Sequence, residues 1–374
     1  MSILESVRPS TLRAHLSASP RWLKLIFLVA AALFMYALPL LEPPIITTPD
    51  TEFAGVLFTV TTYVLVALGL NIVIGYAGLL DLGYIGFYAV GAYTVAVLGS
   101  EHGNLAWLIC LPIAAVVATC SGILLGAPTL RVRGDYLAIV TLGFGEIIRL
   151  TAINSSWLGA AFGISNVPKP PSADLFEVPH LLWNGPVATV DLSNKSTVLV
   201  FGVIDSVPYY WLGLTMVILV LIADKLIKDS RVGRSWEATR EDEDAAEVMG
   251  VPTFKFKLLA FAMGAFIGGL SGGLYATVNS FVSPASFLLL YSILFVAAVV
   301  VGGAGNRWGV IVGAILVAYL PERFRGFTDY RVMVFGVALI ALAIFRPQGL
   351  LPPRRTVRAR KLPGGGTEGG ELNV

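Results

Sequence analysis

Side chains that could do chemistry are sparse in this sequence, and their spacing argues against an enzyme. The three histidines, His15, His102 and His180, lie far apart in segments predicted to be polar, so they form no metal-ligand cluster. The sequence also lacks a GxxxxGK[ST] phosphate-binding loop and therefore has no motif for ATP hydrolysis. Charge concentrates in one stretch, RVGRSWEATREDEDAAEVMGVPTFKFK at residues 231–257, where eleven of the twenty-seven residues are charged.

This charged stretch carries the pattern of one or two short helices between residues 235 and 249. Ser235 is predicted to be an N-cap, and Glu237 suits the positive end of a helix. Gly250 followed by Pro252 predicts the helix stop. The small and apolar residues among the acids are Ala238, Ala245, Ala246, Val248 and Met249. Such a mixture is expected of a surface that docks on another protein; the alternative is a solvated loop whose charges keep it out of lipid.

The rest of the chain is composed for a lipid environment. Of its 374 residues, 13% are charged and 56% are hydrophobic, and the mean hydropathy is +0.78, far above that of a soluble domain. A bilayer core needs roughly 20 apolar residues for each spanning helix. Ten helices are predicted, at about residues 22–41, 53–73, 83–99, 105–127, 135–152, 207–227, 257–277, 286–303, 307–320 and 330–346. We therefore expect an all-α polytopic membrane protein.

The distribution of basic residues predicts the orientation of these helices. With a cytoplasmic N-terminus, twenty of the 26 Lys and Arg residues fall on the inner side, four on the outer side and two within helices. The four outer residues are Lys169, Lys195, Arg323 and Arg325. This asymmetry satisfies the positive-inside rule and predicts that both termini are cytoplasmic. Arg323 and Arg325 would prefer the inner side, so the helix count near residues 303–330 stays open.

Polar segments divide the chain into a membrane domain and its extensions. Residues 1–21 are predicted to form a basic cytoplasmic segment, residues 22–346 the transmembrane domain and residues 347–374 a basic, glycine-rich cytoplasmic tail. Within the domain, residues 153–206 are predicted to lie outside and residues 228–256 inside. Alternating residues in VATVDL and TVLVFGVID predict a short hairpin across LSNKS in the outer segment.

A glycine-dense stretch, LNIVIGYAGLLDLGYIGFYAVGAY at residues 70–93, covers the end of one predicted helix and most of the next. Glycines at this density allow either close helix packing or a helix break at membrane depth that faces a cavity. Asp81, between two predicted spans, must face water or a partner. A second ladder places Gly264, Gly268 and Gly272 at four-residue spacing and predicts a helix-packing face.

Few ionisable residues lie within the predicted spans. Glu146 and Arg149 are three residues apart on one helix and are expected to neutralise each other, which favours a structural pair over a substrate site. An ion-coupled carrier working alone would need ionisable residues at the membrane midplane, and only Glu146 and Asp81 qualify. A membrane-bound enzyme would need a catalytic constellation on one membrane face, and none is visible in the sequence.

Seven ordered segments resemble a known family. They are the glycine-dense stretch, LRVRGDYLAIVTLGFGEIIR at 130–149, GISNVPKP at 163–170, the charged stretch, FVSPASF at 281–287, VVVGGAGNRWGVIVGA at 299–314 and FRPQGLLP at 345–352. In order and spacing they are similar to the LivM-type permease of branched-chain amino acid ABC importers. The resemblance covers residues 70–352, which is most of the chain.

The resemblance implies a permease bundle of the type II ABC importer kind that works within a larger complex. The implied partners are a second related permease subunit, two ABC ATPase subunits, an extracytoplasmic substrate-binding protein and membrane lipids, with no nucleic acid. ATP and Mg would be bound by the ATPases, so no cofactor is expected in this chain. The implied location is the bacterial inner membrane.

The resemblance also implies roles for individual residues. The charged stretch would carry a coupling helix that docks in a groove of the ATPase, with contacts at Glu237, Arg240, Glu241, Asp242, Glu243, Ala245, Ala246 and Gly250. The candidates for lining the translocation path are Asn71, Gly75, Gly78, Asp81, Tyr84, Phe281 and Ser283. Leucine, isoleucine and valine are the expected solutes, and urea, short amides or other amino acids are the alternatives.

Overall fold

The computed structural model describes most of the membrane domain. The described residues are 21–43, 46–47, 52–100, 103–130, 135–172, 177–184, 187–197, 201–202, 205–323, 333, 336–337, 340, 344–346 and 348–351. The predicted segment 1–21, helix 330–346 and tail 347–374 lie wholly or mostly outside these residues.

Helices dominate the described residues and confirm the all-α polytopic prediction. The first six are α1 (Arg21–Leu41), α2 (Phe53–Leu70), α3 (Tyr84–Gly99), α4 (Trp107–Thr129), α5 (Asp135–Asn154) and α6 (Val207–Lys228). They are followed by the short helices α7 (Arg231–Glu241) and α8 (Glu243–Val248) and then by α9 (Thr253–Asn279), α10 (Leu289–Gly302) and α11 (Arg307–Arg323). Five helical spans in the described part of the chain are long and apolar enough to cross a membrane.

Two helices differ from their predicted bounds in an informative way. The predicted helix 53–73 is α-helical only to Leu70 and continues as a π-helix over Asn71–Tyr76. The predicted helix 257–277 is longer and runs over Thr253–Asn279, because it begins directly after Pro252. Hydropathy locates a span but does not report the hydrogen-bond pattern within it, so the π-helix was not predictable from apolar runs.

The long helix α9 is the centre of the bundle and packs against α2, α3 and α4. Gly272 lies so close to α3 that a Cβ on it would be 1.9 Å from the carbonyl oxygen of Tyr88. On the neighbouring side, a Cβ on Gly269 would be 2.4 Å from the Cβ of Ala118 in α4. The absence of side chains lets the backbones approach, which confirms the predicted helix-packing face.

The remaining helices surround this centre and leave apolar faces outward. α2 packs against α6, α9, α10 and α11, and its Leu65 and Leu68 are fully buried. By contrast, α4, α5 and α6 leave large apolar side chains exposed, as at Leu124, Ile139 and Leu226. Surfaces of this composition are suited to lipid or to other membrane subunits.

Short strands lie between the helices. β1 (Ile164–Ser165) pairs antiparallel with β4 (Phe281–Val282). In the predicted outer segment, β2 (Glu177–Asn184) and β3 (Val187–Thr197) form a hairpin in which Asn184 is paired with Val187. The predicted hairpin across LSNKS is therefore wrong in position, because that pentapeptide lies inside β3. The turn-forming dipeptides of Asn184-Gly185-Pro186 were the better indication of the reversal.

Candidate functional site

The charged loop, defined here as residues 229–252, folds into α7 and α8. Ser230 caps α7, because its hydroxyl oxygen accepts a hydrogen bond from the N–H two residues further on at 3.1 Å. Asp242 caps α8 through a carboxylate oxygen that accepts from the N–H three residues further on at 3.0 Å. The predicted N-cap Ser235 is wrong: it lies inside α7 and donates to the Arg231 carbonyl at 3.0 Å. Helix α7 begins earlier than predicted because α6 ends at Lys228, which places Ser230 at the turn between the two helices.

Buried contacts fasten this loop to the membrane helices. Trp236 is fully buried, and its indole N–H donates to a backbone carbonyl in the first turn of α9 at 2.7 Å. Arg240 donates from Nη1 to the Gly75 carbonyl in the π-helix. On α8, Glu243 forms an ion pair with Lys257 of α9. A displacement of α7 and α8 should therefore also move α9 and the π-helix that follows α2.

The end of α8 presents two large apolar side chains. Val248 is 88% exposed and Met249 is 83% exposed. Gly250 ends the helix, as predicted, with φ at +84° and its N–H bonded to the Glu247 carbonyl at 2.9 Å. Apolar surface of this kind gains free energy when another molecule covers it. The tip of the charged loop is therefore its best candidate contact surface.

The predicted contact residues of the charged loop differ in exposure. Those on the exposed surface are Glu237, Arg240, Glu241, Asp242, Ala245 and Gly250. Ala246 is buried, and Glu243 is half-buried beside its lysine partner. Although Arg240 is exposed, its guanidinium turns back toward the π-helix. Contact of these residues with an ATPase stays a prediction.

The π-helix Asn71–Tyr76 brings two predicted path residues together. Asn71 is fully buried, and its Oδ1 accepts a hydrogen bond from the Gly305 N–H at 2.8 Å. Gly75 must lack a side chain, because a Cβ there would lie 2.1 Å from this Oδ1 and 2.5 Å from the Gly305 nitrogen. Gly78 lies just beyond the π-helix, under the side chain of Arg240. π-helices frequently occur at functional sites, and this one connects α2, the turn before α11 and the charged loop.

Helix α3 begins in the middle of the bundle. Tyr84 donates its hydroxyl to the Gly264 carbonyl at 2.7 Å, and Gly264 is the twelfth of the 27 residues of α9. Asp81 is fully buried, and one of its oxygens accepts from the Gly83 N–H at 2.9 Å. Its other oxygen has no hydrogen-bond partner among the described residues. Residues 77–83 therefore enter the bundle as non-helical backbone: Gly78 and Leu80 are exposed at its start, and Asp81 and Gly83 are buried where it meets α3. Membrane proteins tolerate such backbone where it is buried in protein or lines a water-filled cavity.

A second interruption of the long helices, residues 280–288, contains β4 and a short 3-10 helix at Pro284–Phe287 and leads into α10. Phe281 is exposed on β4, and Ser283 is half-buried in the following turn. At the start of α10, Ser292 donates its hydroxyl to the Leu82 carbonyl at 2.6 Å. The predicted path residues thus lie in three places: Asn71 and Gly75 in the π-helix, Gly78, Asp81 and Tyr84 at the break before α3, and Phe281 and Ser283 beside β1, where Phe281 pairs with Ser165. That they line a path stays a prediction.

A polar cluster that the sequence did not predict lies beside the π-helix. Asp224 of α6 is buried, and its Oδ2 accepts a hydrogen bond from Tyr76 at 3.2 Å and lies 3.4 Å from Nε of Arg307. Lys228 donates to the Gly305 carbonyl at 3.1 Å and lies 4.9 Å from the centre of the Tyr76 ring. An acidic residue near the end of a mostly apolar helix was the available indication.

Comparison with known proteins identifies the class of this molecule. Residues 53–343 match the family described as branched-chain amino acid transport system / permease component. The chain belongs to this permease family. The match begins at the first residue of α2 and includes the π-helix, the break before α3 and the charged loop.

Named relatives of this permease are transport proteins. The high-affinity branched-chain amino acid transport system permease protein LivM of Escherichia coli is 43% identical over 295 residues, which span 78% of this chain and 68% of LivM. A probable branched-chain amino acid transport permease protein LivM of Methanocaldococcus jannaschii is 24% identical over 341 residues, which span 78% of this chain and 91% of that protein. LivH of Escherichia coli is 24% identical over 301 residues, which span 78% of this chain and 91% of LivH. No solved structure matches this permease.

These matches confirm the family that the seven ordered segments indicated. The permease is a multi-pass membrane component of a transport system and not an enzyme.

Proposed function

We propose that this permease is the LivM-type subunit of an ABC importer that carries leucine, isoleucine and valine inward across the bacterial inner membrane. The names of its relatives support the solute class, since each is a branched-chain amino acid transport permease protein. Because LivM and LivH are two kinds of permease in this family, a second related permease is the proposed partner in the membrane. Two ATPases bind the ATP and Mg, so this chain needs no cofactor of its own.

The charged loop is the observation that carries this proposal. A coupling element has to hold its shape, to be fastened to the membrane helices and to present a surface to the ATPase. Its two helices have side-chain caps, Trp236 is buried against α9, and Val248 and Met249 are uncovered at the tip. Opening and closing of the ATPases would push α7 and α8 and, through them, α9 and the π-helix. The bundle would then change between two states as rigid bodies.

The proposed orientation puts the charged loop and both termini in the cytoplasm. Lys225, Lys228, Arg231 and Arg234 cluster where α6 meets α7, and basic residues prefer the cytoplasmic side. The segment 153–206 then lies outside, where it is the proposed docking surface for an extracytoplasmic binding protein that delivers the solute.

Uptake by the complete complex in proteoliposomes tests the proposal. We expect ATP-dependent uptake of labelled leucine, isoleucine and valine. Val248→Asp places a charge on the apolar tip and should lower leucine uptake more than tenfold. Val248→Leu keeps the tip apolar and should stay within twofold of the wild type.

Three results would contradict parts of the proposal. Uptake of urea without leucine would agree with an ABC importer but contradict the proposed solute. Leucine uptake that needs no ATP would indicate an ion-coupled carrier. Undiminished uptake by Val248→Asp, at normal abundance, would mean that the charged loop is only solvated.

A further inference from the structure

Two charges lie in the interior of α5, where exposure to lipid is most unfavourable. Glu146 and Arg149 are the twelfth and fifteenth of its twenty residues. Their side chains are 40% and 22% exposed, respectively. Charged side chains inside membrane spans face the bundle interior, a water-filled cavity or another subunit. In the assembled transport system, water or another membrane subunit is therefore expected to cover this face of α5, which also exposes Ile139 and Ile147.

The pair is held in a geometry suited to carboxylate recognition. Arg149 donates from Nε to both oxygens of Glu146, at 2.9 and 3.1 Å, and from Nη2 to Oε1. The arginine thus reaches back toward the middle of the helix, away from the nearer end at Asn154. A guanidinium in this position can hold a carboxylate with two parallel hydrogen bonds.

An open space lies one helical turn before the pair. Gly143 has no heavy atom within 4 Å of the position that a Cβ would occupy. Ile139 and Ile147 are both exposed at four residues before and after it. Residues at this spacing lie on one face of a helix, and their side chains lean toward its N-terminus. The missing side chain leaves a gap between these two exposed isoleucines, called the Gly143 notch here, on the side toward which Glu146 leans.

We propose that this face of α5 binds the zwitterion of an α-amino acid with an aliphatic side chain, a site that deepens and rests on the proposed function. The ammonium group pairs with Glu146, the carboxylate pairs with Arg149, and the side chain lies over the Gly143 notch. The site is electrically neutral both empty and occupied. When the site is empty, the two residues satisfy each other, so release of the solute leaves no unpaired charge in the membrane. Such a site binds weakly enough to let solute leave, as a transport path requires.

The test uses the complete complex in proteoliposomes and ATP-dependent uptake of labelled L-leucine. Glu146→Gln and Arg149→Gln each remove one charge and should each lower uptake more than tenfold. Gly143→Leu fills the notch, leaves the pair intact and should have a similar effect. Thr151→Val is the matched control on the same helix, because its exposed hydroxyl donates only to the Ile147 carbonyl, at 2.7 Å. Its uptake should stay within twofold of the wild type.

An exchange variant separates a solute site from a structural pair. Glu146→Arg combined with Arg149→Glu keeps opposite charges at the same spacing but exchanges the ammonium and carboxylate positions. Exchanging two substituents of the α-carbon is equivalent to inverting its configuration. An L-amino acid would then direct its side chain away from the notch. Uptake by the exchange variant should therefore stay at least tenfold below the wild type.

Several outcomes would overturn the site. If the exchange variant recovers uptake to within twofold, the pair is structural or contacts the second permease. If Glu146→Gln and Arg149→Gln lose the other subunits on copurification, the pair holds the complex together and is not a solute site. Unchanged uptake in these two variants, with an active wild type, refutes the site alone. A wild type that takes up no leucine refutes the proposed function, and the site with it.

Discussion

Replacing Trp236 with alanine should release the charged loop from the bundle while the membrane helices stay folded. The indole is fully buried and bonded to the first turn of α9 at 2.7 Å. Removing a buried tryptophan costs about 3–5 kcal/mol, of which the lost hydrogen bond accounts for about 1 kcal/mol. The buried residues of α7 are Gly233, Trp236 and Thr239, so this side chain is the only large one on that face. The cost should therefore fall on local opening of the loop.

Proteolysis measures this opening directly. The loop contains Arg231, Arg234 and Arg240, at which trypsin can cleave once α7 unfolds. When opening is fast relative to cleavage, the cleavage rate follows the open population. Since each 1.4 kcal/mol is a factor of ten, a loss of 3–5 kcal/mol should raise the cleavage rate by roughly 10² to 4 × 10³-fold, up to the limit set by an unfolded loop. The substrate is the permease in inside-out vesicles, where the proposed orientation exposes the loop to added protease.

Two companion variants make the reasoning refutable. Trp236→Phe keeps most of the ring burial and loses the hydrogen bond, so its cleavage should rise only about fivefold. Glu237→Ala changes the exposed neighbour and should leave the rate within twofold of the wild type. Cleavage of Trp236→Ala at the wild-type rate would show that the indole does not hold the loop. Protection of the loop in inside-out vesicles and cleavage in right-side-out vesicles would contradict the orientation.

Two further substitutions test the packing around the site. Asn71→Ala leaves the buried Gly305 N–H without its acceptor, so we expect a loss of about 1–3 kcal/mol and a lower thermal unfolding midpoint in detergent; an unchanged midpoint would mean that the amide finds another acceptor. Gly272→Val puts a branched side chain where a Cβ would already lie 1.9 Å from the Tyr88 carbonyl oxygen. It should cost about 1–3 kcal/mol or more and reduce the amount of folded permease on size-exclusion chromatography, and normal yield would argue against the close contact of α3 with α9.

The positions of the membrane helices were predictable because hydropathy is a local property. The predicted helices 22–41, 135–152 and 207–227 are observed at Arg21–Leu41, Asp135–Asn154 and Val207–Lys228. Each of these spans needs only its own apolar run to be stable in lipid, so neighbours hardly alter its bounds.

Helix caps and turns were predicted less well because several residues compete for each position. Ser235 and Ser230 are both good N-caps by type, and the end of α6 decided in favour of Ser230. In the segment 177–197, alternation was visible, but the pairing of Asn184 with Val187 selected one reversal among those that the pattern allowed. Local sequence preference thus identifies the residues that could form a cap or a turn, and the structure of the neighbouring segments determines which of them does.

The candidate site was predictable only in outline. The glycine-dense stretch indicated either packing or a broken helix, and the structure shows a π-helix followed by non-helical residues that enter the bundle. The Glu146 and Arg149 pair was expected from its spacing, but its exposure on a membrane helix and the open notch at Gly143 were not. Exposure depends on which helices surround α5, and spacing along one helix carries no information about that.

The sequence by itself determined the lipid environment, most helix bounds, the charged loop and the permease family, because these follow from composition and from motifs contiguous in the chain. The tertiary structure alone decided that Asn71 meets Gly305, that Arg240 of the charged loop reaches the π-helix, and that Asp224 pairs with Arg307. The physical reason is that these partners lie far apart in sequence. These contacts form only when the helices have packed around α9, so they depend on the arrangement of the whole bundle and not on any one segment.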